Sequence, residues 1–392
     1  MVSCRSAHYA CTTRYQKECD AQLTLAQPHP LATGTAATKP HTGQCTVMKI
    51  FRGLRHPGLA PECALTIGNF DGVHRGHQAM LSLLQGEARH RGLPSCVLTF
   101  EPHPRDYFAA LQGKSSLAPA RIGTLRDKLS ELARCGIDQV VVLRFDAELA
   151  ALSPQQFIDQ VLLTGLGARY VLVGDDFRFG AKRAGDYELL DAAGNAAGFD
   201  VARMLSYEVR GARVSSSSVR ESLAAGRMEE AAQLLGRPYA ISGHVVHGRK
   251  LGRALGASHP AAGDGFRTLN LRFTHWKPAA GGIFAVRVHG LGDKPLEGVA
   301  NLGVRPSLDP SDVNGGRVLL ETHCLQWPDA LGVEGAYGKI VRVELLHKLH
   351  DERRYASLDA LTDGIAADLS DSRAFFASLH GQTQRQTSRD RI

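Results

Sequence analysis

Residues 66–78 read Thr66-Ile-Gly-Asn-Phe-Asp-Gly-Val-His-Arg-Gly-His-Gln78, and this stretch decides the fold. An apolar run, Ala64–Ile67, stops at a Gly/Asn/Asp loop, and a helical apolar period opens at His77 with HQAMLSLLQGEARHRG. A short buried strand feeding a helix through a glycine loop is the unit from which parallel sheets are built. His74 and His77 stand three residues apart at the helix start, on one face and beside backbone N–H groups with no partner inside the helix. Such groups attract phosphate, and Gly76 lets the backbone approach a ligand closely. HxGH by itself is also met as a pair of surface histidines, so its surroundings must decide.

Outward from this stretch the alternation continues. Ser95–Phe100, Gln139–Phe145 and Tyr170–Val173 read as strands, and Leu125–Arg134 and Pro154–Leu163 as helices, the second capped by Ser153. Glu101–Phe108 (EPHPRDYF) reads as a Pro-rich loop, and Val214-Ser-Ser-Ser-Ser-Val-Arg220 as a hydroxyl-rich turn able to bond phosphates. A parallel sheet of this kind gathers its ligands at the carboxyl ends of its strands. Near Gly226 the style changes. The helix MEEAAQLLG leads into β-rich runs at Tyr239–Val246, Gly282–His289, Gly298–Val304, Arg317–Cys324 and Ile340–Leu346, and a terminal helix covers Ser357–His380. The runs are expected to form a small antiparallel barrel or sandwich. The division is residues 48–233 and 234–380. Residues 1–47 read as a disordered extension or a mis-assigned start, and 381–392 as a disordered tail.

The 392 residues are 43% hydrophobic and 22% charged, which argues against wholesale disorder or a fibrous chain. No apolar stretch approaches the ~20 residues that span a bilayer, and MVSCRSAHYACTTRYQKECD lacks the apolar core of a signal peptide. A cytoplasmic protein without membrane partners is expected. The formal charge of +7 raises the question of nucleic acid, but the first 47 residues and the tail from Gly381 each carry a surplus of two. The remaining surplus of three is small for the middle of the chain, and no nucleic-acid partner is expected. None of the eight cysteines forms a CxxC, so neither zinc spacing nor a disulfide scaffold is indicated.

Taken together, GNFDGVHRGHQ, TFEPHPR, VGDDFRFGAKRAG and VSSSSVR closely resemble the bacterial bifunctional riboflavin kinase/FMN adenylyltransferase (FAD synthetase) family, over about Met48 to Leu379. The resemblance implies an α/β fold. Its N-terminal parallel-sheet nucleotidyltransferase domain would be dinucleotide-binding-like, followed by a small antiparallel β-barrel kinase domain with a C-terminal helix. The substrates would be riboflavin, FMN and ATP, with Mg²⁺ accompanying ATP. His74 and His77 would contact ATP phosphates, and Gly68, Asn69, Phe70 and Asp71 would belong to the same loop. Ser215, Ser216 and Arg220 match the second phosphate signature, with Ser217 where the family usually has Thr. Phe100, Pro102 and His103, with Asp176, Phe177 and Arg178 of Gly174–Gly180, would flank the flavin.

The second half resembles the riboflavin kinase module. Gly248-Arg-Lys-Leu-Gly-Arg-Ala-Leu-Gly256 supplies Gly248, Lys250 and Gly252 as ATP contacts. After ASHPAAGDG comes Phe266-Arg-Thr-Leu-Asn-Leu271, where the family has Gly-Phe-Pro-Thr-Ala-Asn. Thr268 and Asn270 keep the oxygens that would hold Mg²⁺ and ATP. Arg267 and Leu269 replace Pro and Ala, and about nine residues are inserted. Glu321 matches the catalytic carboxylate, and His350 stands where the family generally has Arg. The alternative is an adenylyltransferase with a degenerate kinase module. Since the resemblance begins at Met48, a chain starting there is expected to fold and keep both activities, as assays of FMN and FAD formation would check.

Overall fold

The computed structural model describes residues 47–209, 211–247, 268–273, 277–303, 318–332 and 334–389. Gly248, Lys250, Gly252 and Arg267, and the extension apart from Val47, lie outside them.

In the first half β1 (Lys49–Arg52), β2 (Cys63–Ile67), α1 (Arg75–Arg91), β3 (Ser95–Glu101), α2 (Pro104–Leu111), α3 (Leu125–Arg134) and β4 (Gln139–Arg144) follow in order. Then come α4 (Ala147–Ala151), α5 (Pro154–Gln156), β5 (Ala168–Gly174), α6 (Tyr187–Ala197) and β6 (Asp200–Met204). The six strands pair in parallel in the order β1-β4-β3-β2-β5-β6. Every residue of β2 is buried, as are the first five of β4. Since neighbouring side chains point to opposite faces, both faces of the sheet are covered. The chain order reverses between β2 and β5, and in sheets of this kind ligands bind at such a reversal, outside the carboxyl ends of the strands. The loops after β2, β3 and β5 therefore gather on one edge of the sheet.

Three local readings are corrected. Glu101–Phe108 is not all loop, because α2 starts at Pro104, whose fixed φ suits a first turn, and His103 caps it by accepting from the Arg105 N–H. The serine run is not a turn but the start of α7 (Ser216–Ala224), after a short hairpin of β7 (Glu208–Val209) and β8 (Ala212–Arg213). Ser215 caps α7 in a capping box with Ser218, so serines that disfavour helix interiors here serve its first turn. Ser153 does cap α5 as expected, but the chain continues from it as a wider π-helical segment, Phe157–Gly165.

From α8 (Met228–Leu235) the chain enters an antiparallel sheet. Its strands are β9 (Tyr239–His244), β10 (Thr268–Arg272), β11 (Gly282–His289), β12 (Leu296–Gly303), β13 (Leu319–Cys324) and β14 (Ile340–His350), in the order β10-β13-β12-β11-β14-β9. The sheet curls until Val246, just past β9, bridges Asn270 of β10, so its two edge strands meet. The barrel interior merges with Val219, Leu223, Met228 and Leu234 of α7 and α8 in one apolar cluster. α9 (Leu358–Arg389) closes the chain, packing Leu369 and Phe376 inward while Ser372 Oγ donates to Gly298 O. It runs to Arg389, so residues 381–389, read as tail, continue the helix. Gln and Arg, frequent there, carry good helix propensity.

Candidate active site

The loop after β2 is wound tightly. Phe70, Gly72 and Val73 all have positive φ, at 47°, 82° and 39°. A Cβ on Gly72 would lie 2.7 Å from Ile122 Cγ2, so glycine is required there twice over. The loop delivers His74 to the N-cap of α1, where its Nδ1 accepts from the His77 N–H at 3.3 Å. The two imidazoles stack with centroids 3.6 Å apart, and His77 also leans on Phe70 at 4.9 Å. Burial lowers the His74 pKa to about 4, with Arg220 and Arg237 helping and Asp71 opposing. His77 is held well below its ordinary value, by burial first and then by the His74, Lys128 and Arg220 charges. A neutral ring whose Nδ1 accepts carries its proton on Nε2, so His74 offers an Nε2–H donor. His77 Nδ1 is sealed from solvent and has no partner among the described residues.

Beside this pair stands the start of α7. Ser216 Oγ donates to Asp71 O at 3.0 Å, and a Cβ on Gly76 would approach both the His74 ring and Val214 O. Two helix N-termini thus lie side by side, a natural cradle for a polyphosphate. Arg220, on the second turn of α7, donates to Asp71 Oδ2 at 2.6 Å and to Ala120 O. Asp71 is 2% exposed and also takes the Ile122 N–H. Asn69 Oδ1 is buried without a partner among the described residues, and Gly68 closes the end of β2 with its N–H on Leu98 O.

Several charged residues around this loop escaped the sequence reading. Arg121 reaches Glu101 at 3.2 Å and Asp106 at 2.7 Å, and Lys128 Nζ donates to Thr99 Oγ1, which donates to Asn69 O. Burial pushes the Lys128 pKa down to about 8. Lys128 and Arg121, with Arg220, face Asp71, Glu101 and Asp106 under the histidine loop, a balanced set of charges of which Lys128, Arg121 and Asp71 are buried. A signal for Lys128 was available, since it lies one turn before Leu132 on the apolar face of α3.

On the other side, His103 is 6% exposed and its pKa is lowered to about 3, by burial first and then by Arg121. Its Nδ1 accepts from Arg105 N, which again leaves an Nε2–H donor. Phe100 meets Phe145 edge-on at 5.9 Å, and Tyr107 and Phe108 join the cluster, with Phe108 exposed. Pro102 is exposed. Phe177 stacks on Phe179, Asp176 is exposed beside Arg213, and Arg178 is drawn to Asp186 at the start of α6.

A pH dependence follows from the three histidines. Above pH 6.5 they are neutral both folded and unfolded. Below it the unfolded chain takes up protons first, so stability falls as pH drops from 6.5 toward 4. Each unit of depression is worth about 1.4 kcal/mol. A lower denaturant midpoint at pH 5 than at pH 7.5 is expected, and equal midpoints would contradict burial of neutral rings.

In the barrel, cross-strand register puts Glu321 of β13 directly between Asn270 of β10 and Asn301 of β12. Asn270 is 3% exposed, and its Nδ2 donates to Thr268 O. Thr268 and Asn270, two apart on a strand, share a face. Glu352 joins this group. Its pKa is pushed up by burial and by Glu321's charge, against a hydrogen bond with Asn301. Its carboxylate lies so close over Gly303 that a Cβ there would collide with it. Sequence reading named neither Asn301 nor Glu352 as a site residue; a carboxylate and a carboxamide meeting across strands and a loop leave no local pattern. His350 Nε2 meets Asp368 at 2.7 Å, tying the end of β14 to α9.

Comparison with known proteins adds to this geometry. The FAD synthetase family matches residues 57–218, and the riboflavin kinase family residues 235–376. The bifunctional riboflavin kinase/FMN adenylyltransferase of Escherichia coli (strain K12) is 46% identical over 331 residues, 84% of this chain and 98% of that protein. Proteins of the same description from Haemophilus influenzae and Pseudomonas fluorescens are each 40% identical over 84% of this chain, covering 100% and 98% of their own lengths. A solved structure described as a macrolide-efflux protein from Streptococcus pneumoniae matches with a TM-score of 0.61, covering 83% of this chain and 99% of that one. At 23% identity that likeness concerns the fold alone.

Proposed function

This chain belongs to the family of bifunctional riboflavin kinase/FMN adenylyltransferases, and on that premise we propose how its residues divide the work. The enzyme phosphorylates riboflavin with ATP to FMN, then adenylylates FMN with a second ATP to FAD and pyrophosphate. Residues 48–233 carry the second reaction and 234–380 the first.

In adenylyl transfer a phosphate oxygen of FMN attacks the α-phosphorus of ATP. The new P–O bond forms as the bond to pyrophosphate breaks, and pyrophosphate leaves with the electron pair. Nothing covalent is asked of the protein, so catalysis is positioning and electrostatic stabilisation. His74, through Nε2–H, and His77 act on the phosphates together with the N–H groups of α1. Ser215 and Ser216 at the start of α7 hold the departing phosphates, with Arg220 fixed by Asp71 as their cation. Gly68, Asn69 and Phe70 shape the nucleotide side of the loop. FMN lies toward Phe100, Pro102 and His103, with Asp176, Phe177 and Arg178 across the strand-order reversal. The observation that carries this reading is the stacked, neutral histidine pair at the strand-order reversal, beside a second helix N-terminus.

In the barrel Glu321 orients or deprotonates the ribityl 5′-hydroxyl, which attacks the γ-phosphorus of ATP as ADP departs. Thr268 Oγ1 and Asn270 Oδ1 are hard oxygen donors on one strand face, and they suit Mg²⁺ brought in on ATP phosphates. Among the described residues no group of three or more His, Cys, Asp or Glu could hold a metal; oxygens of the ATP phosphates would supply further ligands. Bound there, Mg²⁺ neutralises polyphosphate charge. No helix among the described residues is long and apolar enough to cross a membrane. We place the enzyme in the cytoplasm, where its ATP is supplied.

The test is to incubate the protein with riboflavin and Mg-ATP and follow FMN and FAD separately. FMN should rise first and FAD at its expense. Untouched riboflavin, under conditions where supplied FMN becomes FAD, would establish the degenerate-kinase alternative.

A further inference from the structure

The histidine loop is held from behind by the segment that joins the two modules. Between α8 and β9 the chain reads Leu235-Gly-Arg-Pro238. Arg237 Nη2 donates to Gly72 O at 2.7 Å, and its Nη1 to Val73 O at 3.1 Å and Leu235 O at 3.1 Å. Its Nε faces Glu131 Oε2 of α3 at 3.0 Å, which fixes the plane of the fork. Gln78 of α1 completes the clasp, its Nε2 donating to Val73 O at 2.8 Å and Leu235 O at 2.7 Å. Both carbonyls just ahead of His74 are therefore bound by the junction.

They need to be. Val73 is β-branched, wholly buried, and sits at φ 39°, in the left-handed region such residues avoid. A conformation of that kind is strained and persists only where its surroundings over-determine it. Val73 is the residue whose ψ sets where His74 leaves the loop, and His74 in turn sets the His77 stack. A planar guanidinium suits this task because two of its nitrogens reach two successive carbonyls at once, which an ammonium on a flexible stem does poorly.

We infer that Arg237 is a positioning residue for adenylyl transfer, holding the strained Gly72–Val73 turn so that His74 and His77 stay in register with the phosphates. It also joins the two activities physically, because the strap lies in the segment from which the kinase barrel begins. The inference rests on the His74–His77 cleft being the adenylyltransferase site.

The experiment uses the full chain and four variants: Arg237→Ala, Arg237→Lys, Val73→Gly, and Val73→Gly with Arg237→Ala. FAD formation from FMN and FMN formation from riboflavin are measured on the same preparations. Arg237→Ala should lower kcat for FAD formation on the order of tenfold to a hundredfold, as misplacement of reacting groups does. The KM for FMN should stay within about twofold, since the residues proposed to bind FMN are untouched, and riboflavin phosphorylation should be unchanged. Arg237→Lys should recover part of the loss. Glycine adopts the left-handed backbone unaided, so the same Arg237→Ala change should cost several-fold less in the Val73→Gly background. Parallel loss of both activities would mark Arg237 as general scaffolding and overturn the inference, as would an equal cost in the two backgrounds. Should Arg237→Ala fail to fold, Arg237→Lys with wild-type kcat for FAD formation would equally refute it. A His77→Ala control separates the two readings: full FAD formation in that variant removes the site itself, whereas failure of the Arg237 variants alone leaves the site standing.

Discussion

FAD formation from supplied FMN should fall by about a hundredfold to a thousandfold in His77→Ala, the range seen when one preorganised transition-state donor is removed. Riboflavin phosphorylation should survive. His77 is on α1, against the parallel sheet, whereas the residues proposed for the kinase reaction, Thr268, Asn270 and Glu321, sit on β10 and β13 of a separate sheet. Because His77 stacks on His74 and leans on Phe70, its loss also loosens the ring that presents the His74 Nε2–H. Kinase activity in the same tube is the internal control for folding. Unchanged FAD formation would show that adenylyl transfer does not use the histidine pair.

Glu321→Gln should produce the mirror image. General-base catalysis contributes about a hundredfold to ten-thousandfold, so FMN formation from riboflavin should drop into that range or below detection. FAD should still form when FMN is supplied. Glutamine keeps the shape of the side chain between Asn270 and Asn301, so the cross-strand row is expected to hold. Riboflavin phosphorylated at the unaltered rate would remove Glu321 from the catalytic role. The two variants together ask whether one chain houses two independent active sites, and each supplies the other's control.

Much of this architecture was legible because it is local. Ala64–Ile67 and Gln139–Leu143 are continuous apolar runs, which only a sheet covered on both faces accommodates, and both are buried strands paired in parallel. The HxGH spacing placed both histidines at the start of a helix, and the structure sets His74 at its N-cap, His77 in its first turn, and stacks the two rings. Ser153 announced its helix as an N-cap, and its side chain accepts from the Gln156 N–H. Where reading failed, a local preference was overridden. Four serines suggest a turn, yet Ser215 and Ser218 cap one another and the segment is helical. Glu101–Phe108 suggests a loop, yet Pro104 begins a helix that His103 caps.

What the sequence alone determined was the chemistry on offer: the histidines, serines, carboxylates and glycines of the two candidate sites, and the order of the elements that carry them. Tertiary structure decided their states and their partners. A histidine's proton affinity depends on how deeply it is buried and on which charges face it, so the depressed values of His74 and His103 exist only once α1, α2 and α3 have packed. Asp71 meets Arg220 across 149 positions of sequence, and Arg237 reaches Gly72 across 165. No spacing rule spans such distances. They come from the strand order that reverses at β2 and β5 and from a barrel whose first residues fold back onto the loop, and hydrogen-bond geometry then selects which arginine serves which carbonyl.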